Sequence, residues 1–163
     1  MIAASPLWGT KMLIVAGLAG YLSLFVLNNL TDPRTNSAAI PRMMTMRELK
    51  ADPPLGGGVL WRAIDSPAVH RVAYGLVVAV QAIGAVLLWW GAVLLGWTAA
   101  TGGATIGLTV ANLGLLVFVA LFLGFLLVGV WFSYWVKMGP VQQGHLTLLL
   151  VGLAAVVVVN LPA

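Results

Sequence analysis

Two histidines, His70 and His145, are the residues of this chain best suited to hold a cofactor. Each lies near the start of a long apolar stretch, and both stretches begin on the same side if the chain crosses a membrane at each one. At similar depth the two imidazoles could ligate the iron of haem b, for which histidine is a common axial ligand, or flank a quinone. His70, Tyr74 and Gln81 also share one face of a helix, being four and eleven residues apart. Such a face serves more often as a hydrogen-bonded seam between helices than as a cofactor site. Polar residues at the ends of spanning helices mostly cap those ends and meet water and headgroups. No cofactor is therefore expected, with haem b or a quinone as the alternative.

The remaining chemistry is sparse. There is no glycine-rich phosphate loop, no H-E-x-x-H, no Gly-x-Ser-x-Gly elbow and no nucleophile with a base and an orienting group, so no enzyme signature is present. The chain has no cysteine, which removes disulfides, thiolate nucleophiles, cysteine-ligated clusters and covalent haem attachment. All four acidic residues fall between positions 31 and 66, outside every apolar stretch. Proton-coupled carriers and pumps need ionisable groups at membrane depth, so a small transporter is the least favoured reading. The eight basic residues give a net charge of +4 but form no run and no aromatic-interleaved stripe, so nucleic acid is not a partner. Trp61 and Arg62 stand side by side in the polar segment, and these two residue types dominate binding energy at protein interfaces. Together with the short segment from Met43 to Lys50, they are the candidate docking site for another subunit. Arg62 could also pair with Asp65 or Asp32, though so exposed a pair stabilises by at most about 1 kcal/mol.

What must position these groups is a membrane. The chain has 163 residues, 61% of them hydrophobic and only 7% charged, against roughly a quarter charged in a soluble domain. The apolar stretches are continuous rather than alternating, which excludes a barrel and leaves helices as the backbone's means of satisfying itself in lipid. The expected fold is all-α, a single four-helix transmembrane domain over residues 1–163 with spans at about 12–30, 68–97, 105–136 and 141–161. One structured polar loop, 31–66, joins the first two. The first stretch has no basic segment before it and no small-x-small site after it, so it reads as a retained span rather than a cleaved leader.

Local signals refine this outline. Thr45-Met46-Arg47-Glu48 has capping-box spacing, which predicts a short helix over about 46–51 lying on the membrane surface or against the helix ends. Pro53-Pro54 would stop it and Gly56-Gly57-Gly58 would turn the chain. Ser66 is suited to N-cap span two with Pro67 in the first helical position. Residues 98–104 form an uncharged turn, and Gly139-Pro140 opens span four. Trp131, Tyr134 and Trp135 read as an interfacial aromatic belt closed by Lys137. Small residues recur four apart as Ala16 with Gly20, Gly75 with Ala79 and Gly107 with Ala111, spacings that let helices approach closely in lipid. Four spans place both termini and the 98–104 turn on one side. Seven of the eight basic residues then lie on the long-loop side, which by charge alone would be cytoplasmic.

Several stretches together resemble an uncharacterised bacterial family of predicted small integral membrane proteins, domain of unknown function 2165. They are Asn28-Asn29-Leu30-Thr31-Asp32, then Trp61-Arg62-Ala63-Ile64 with Ser66-Pro67-Ala68 and His70, then Gly129-Val130-Trp131-Phe132 with Trp135. The resemblance spans most of the chain and brings no activity. It implies a bacterial cytoplasmic (inner) membrane with the termini in the cytoplasm, because family members are basic at the N-terminus and in the second turn. This chain departs from the family in having no charge in that turn, and in carrying Val130 where the family pattern has a glutamate. The reading that follows is a non-catalytic accessory subunit or assembly factor of a larger membrane complex, with a respiratory or photosynthetic one as a reasonable host. Its partners would be other membrane subunits and the lipid bilayer, and the alternative is a haem- or quinone-binding anchor using His70 and His145.

Overall fold

The computed structural model describes residues 6–51, 57–101 and 106–162. Four helices are long and apolar enough to span a bilayer: α1 (Pro6–Thr31), α5 (Pro67–Thr101), α6 (Ile106–Trp131) and α7 (Gly139–Val159). Between the first two lie three short helices, α2 (Pro33–Ser37), α3 (Ala39–Met44) and α4 (Arg47–Lys50), and a 3-10 turn at Leu60–Arg62. A second 3-10 turn, Tyr134–Val136, separates α6 from α7. No strand occurs among the described residues. The Pro53-Pro54 stop, Gly56 and residues 102–104 of the second turn lie outside the described residues.

At about 1.5 Å per residue, α7 is about 31 Å long and matches a hydrocarbon core of roughly 30 Å, whereas α5 is about 52 Å long and must overhang it. Two expected boundaries move. Span two does not end near Trp97 but stays helical to Thr101. Span three does not run to Val136, because Ser133 takes a left-handed conformation (φ 55°) that breaks the helix after Trp131.

The helices pack in sequence, α1 on α5, α5 on α6 and α6 on α7, with α7 touching α1 more lightly. Val15, Leu22, Leu88, Leu95, Ala111, Leu115, Phe118 and Val159 fill the centre and are closed to solvent. Lipid tails are as apolar as these side chains, so close packing rather than the hydrophobic effect holds this core. The α5–α6 seam shows how close. A Cβ on Gly91 would fall 2.6 Å from the Cα of Ala111, and one on Gly107 would fall 3.0 Å from the backbone of Leu94 and Leu95. Of the small-residue pairs, Gly107 with Ala111 thus forms a helix contact. Gly75 and Ala79 are both exposed, and a Cβ on Gly75 or on Gly20 would meet nothing within 4 Å.

The polar loop has a core of its own. Met44, Met46 and Leu49 are buried against Phe132, which follows α6. Here water is the competing environment, so each large apolar side chain buried stabilises by about 1.5–3 kcal/mol. The capping box does not form. Thr45 instead closes α3, its hydroxyl donating to the carbonyl of Pro41 at 2.7 Å, and Met46 enters α4 in a left-handed conformation (φ 53°) with no side-chain cap. Glu48 turns to Arg42 at 2.6 Å, and the guanidinium holds its carboxyl below the usual glutamate range. Burial of Met46 offsets the roughly 1–2 kcal/mol cost of its backbone.

Candidate functional site

The chemistry-bearing residues gather at the long-loop end, where α1 and α6 finish and α5 and α7 begin. Asn29, in the last two turns of α1, is buried and joins two of the three residues on the His70–Tyr74–Gln81 face. Its Nδ2 donates to Oε1 of Gln81 at 2.8 Å, and its carbonyl accepts from the hydroxyl of Tyr74 at 2.8 Å. The carbonyl is available because α1 ends two residues later and leaves its last C=O groups without helical donors. His70 turns the other way. Its Nε2 lies 2.8 Å from the carbonyl of Ile64, so it ties the start of α5 to the end of the polar loop. Two of the three residues therefore form an interhelical seam, and the third anchors the loop.

His145 has other neighbours than His70. On α7 it lies against the rings of Phe125 (4.7 Å between centroids) and Phe122 (6.3 Å), and its Nδ1 is 3.5 Å from the hydroxyl of Tyr134. The two imidazoles face different neighbours, and α7 packs mainly on α6. No group of three or more His, Cys, Asp or Glu residues that could hold a metal ion occurs among the described residues. Tyr134 is itself not a belt residue. The turn at Ser133 swings its ring inwards, where it is buried against Gly129 and its pKa is pushed up by desolvation. Trp131 and Trp135 remain about half exposed, as a belt requires.

Trp61 and Arg62 do come together, with a partner the spacing did not reveal. Arg62 pairs with neither Asp65 nor Asp32. Asp65 is taken by Lys50 at 3.1 Å. Asp32 caps α2 by accepting from the N–H of Thr35 at 3.2 Å, and hydrogen bonds from Thr35 hold its carboxyl below the ordinary value. The 3-10 turn carries Arg62 across to the end of α6, where Nη1 donates to the carbonyl of Trp131 at 3.3 Å. The guanidinium also lies over the rings of Trp131 (4.7 Å) and Trp61 (5.4 Å), which meet edge to face. A cation at a helix C-terminus is favoured by the helix dipole, and two indoles add cation–π attraction. Its Nε is buried without a hydrogen-bond partner. Trp61 remains 72% exposed.

Three further polar contacts were not foreseen. Asn112 and Asn160 exchange side-chain hydrogen bonds at 2.9 and 2.8 Å between α6 and α7. Nε1 of Trp89 donates to Ser23 at 3.1 Å, between α5 and α1. Lys11, almost wholly buried, donates to the carbonyl of Leu161 beyond α7 and lies over Trp8. The signal for each was a lone polar residue within or just beside an apolar run.

A bundle of four apolar helices closed by amide, hydroxyl and ammonium contacts is matched by one family over residues 9–162, described as predicted small integral membrane protein (DUF2165). The chain belongs to this family. It is thus a multi-pass integral membrane protein, the family's description assigning it no activity. No curated protein and no solved structure matches it.

Proposed function

We propose that this family member is a non-catalytic accessory subunit or assembly factor that packs against a larger complex of membrane proteins. The observation that carries the reading is where its polar side chains are spent. Asn29, Tyr74, Gln81, Asn112, Asn160, Ser23, Trp89 and Lys11 all bond to other helices of the same bundle or the segment beyond α7. A catalyst or carrier keeps such groups free to meet a substrate, and buried polar groups committed to one another instead fix a single packing.

The candidate contact is the corner formed by Trp61, Arg62 and Trp131. An exposed tryptophan set edge to face against a second one, with a guanidinium over both rings, is the composition of an interface hot spot. The Met43–Lys50 segment drops out of this surface in part, because Met44, Met46 and Leu49 are turned inwards. The host would be a membrane complex of a respiratory or photosynthetic kind, in a bacterial cytoplasmic membrane. The termini would be cytoplasmic on the pattern of the relatives the chain resembles, against its own charge distribution.

The test is extraction from native membranes in mild detergent, comparing the chain with its Trp61→Ala/Arg62→Ala double variant. A discrete larger assembly should contain the parent chain and lack the variant, while the variant remains inserted and helical. Equal recovery of both would remove the docking role of this corner. A Soret band in the purified parent chain that vanished in both His70→Ala and His145→Ala would replace the reading with a haem-binding one.

A further inference from the structure

Beneath the polar loop lies a cleft of about 520 Å³, lined by Pro33, Ser37 and Pro41 on one side and Pro67, His70, Arg71 and Tyr74 on the other. Its volume lies within the range of small-molecule sites. Its depth in the membrane follows from the sequence of α5, in which Arg71 is the last charge before an uncharged run from Val72 to Thr101. Val72 and Leu76, immediately below, are more than 60% exposed and face lipid. The cleft therefore sits where headgroups give way to acyl chains.

Its charge is specific. Arg71 is exposed and makes no hydrogen bond or ion pair among the described residues, unlike Arg42, Lys50, Arg62 and Lys11. Asp65, the acid nearest along the chain, is paired with Lys50, and Asp32 is engaged with Thr35 at the start of α2. His70 already spends Nε2 on Ile64, and Tyr74 spends its hydroxyl on Asn29. One uncommitted guanidinium thus faces a cleft with prolines for walls and lipid for a floor.

We propose that this cleft binds the headgroup of an anionic phospholipid, with Arg71 on the phosphate and the acyl chains descending along Val72 and Leu76. The rigid proline walls keep the cleft open without a ligand, so little ordering cost falls on binding. A guanidinium offers two parallel N–H donors to two phosphate oxygens, a geometry an ammonium lacks. The site is independent of the Trp61–Arg62 corner and stands whether or not that corner docks a partner.

The experiment is native mass spectrometry of the full chain in neutral detergent, with phosphatidylglycerol, phosphatidylcholine and inorganic phosphate added separately. Phosphatidylglycerol should be retained at one molecule per chain in preference to phosphatidylcholine. Arg71→Gln should weaken that retention about five-fold, the effect of one basic residue near an anionic lipid surface. Arg47→Gln, an exposed cation away from the cleft, should retain lipid like the parent. Ser37→Trp, which puts an indole into the cleft and leaves every charge in place, should weaken retention at least as much and covers the case in which Arg71→Gln fails to fold. Equal retention of the two lipids, equal weakening by Arg47→Gln, or unchanged retention in Ser37→Trp would overturn the proposal. So would displacement of the lipid by millimolar phosphate, which would make this a site for a free anion.

Discussion

Asn29 illustrates what a single amide does inside lipid. Replacing it by leucine leaves Oε1 of Gln81 buried and unpaired, while the bond from Tyr74 to the Asn29 carbonyl survives because it uses backbone. The expected loss is about 0.5–2 kcal/mol, since interhelical hydrogen bonds in membranes are modest but a stranded partner adds its own cost. Asn29→Leu/Gln81→Leu should recover part of it, and a double-mutant cycle of unfolding in mixed micelles measures the coupling. A double variant as unstable as the two single losses added together would show that the amides do not interact. The Tyr74–Gln81 face was legible from spacing alone, because a helix places residues seven apart on one side. Its partner was not, because nothing local to Asn29 says which span it meets. The same blindness assigned Arg62 to nearby acids. Its true partner, the end of α6, is 69 residues away and is reached only once the bundle exists.

Whole elements were legible where composition decides them and unclear where packing does. An uncharged run of twenty residues has only one stable form in lipid, so the four spans and the start of α5 at Pro67 follow directly. The short helices between them do not. Thr45 has the chemistry of an N-cap, yet it ends α3, because seating Met44, Met46 and Leu49 on Phe132 outweighs one capping bond. Small-residue pairs were similarly ambiguous, since spacing shows that two helices could approach and not that they do. This distinction is measurable. Gly91→Ala should destabilise the bundle by about 1–3 kcal/mol, because the added Cβ meets the backbone of Ala111 and forces α5 from α6. Gly75→Ala meets open space and should be neutral or stabilise by about 0.5–1 kcal/mol through helix propensity. Equal effects from the two would mean that the α5–α6 approach is looser than described.

The whole molecule is an odd-looking membrane protein only if its polar residues are expected to work on a substrate. They close the bundle at both ends, and the apolar helix faces are left to lipid or to neighbours. Four spans require that Ser37 and Pro140 face one compartment and Ala100 the other. Single cysteines introduced at these positions, in a chain with none of its own, should react with an impermeant thiol reagent from opposite sides of sealed vesicles. Labelling of Ser37→Cys and Ala100→Cys from one side would leave an odd number of crossings outside the spans described. Lys11, the one basic residue on the side of the termini, is covered by its neighbours and almost closed to solvent. Its ammonium reaches from the first span to the carbonyl of Leu161, beyond the last, a separation of 150 residues. Lys11 is synthesised well before α7, and until α7 lies beside α1 its ammonium lacks this carbonyl and must be solvated by headgroups or water. The buried lysine therefore reports that α1 and α7 have met. A bundle in which α7 has not docked would display a reactive amine at the membrane surface, by which it can be told from the closed one.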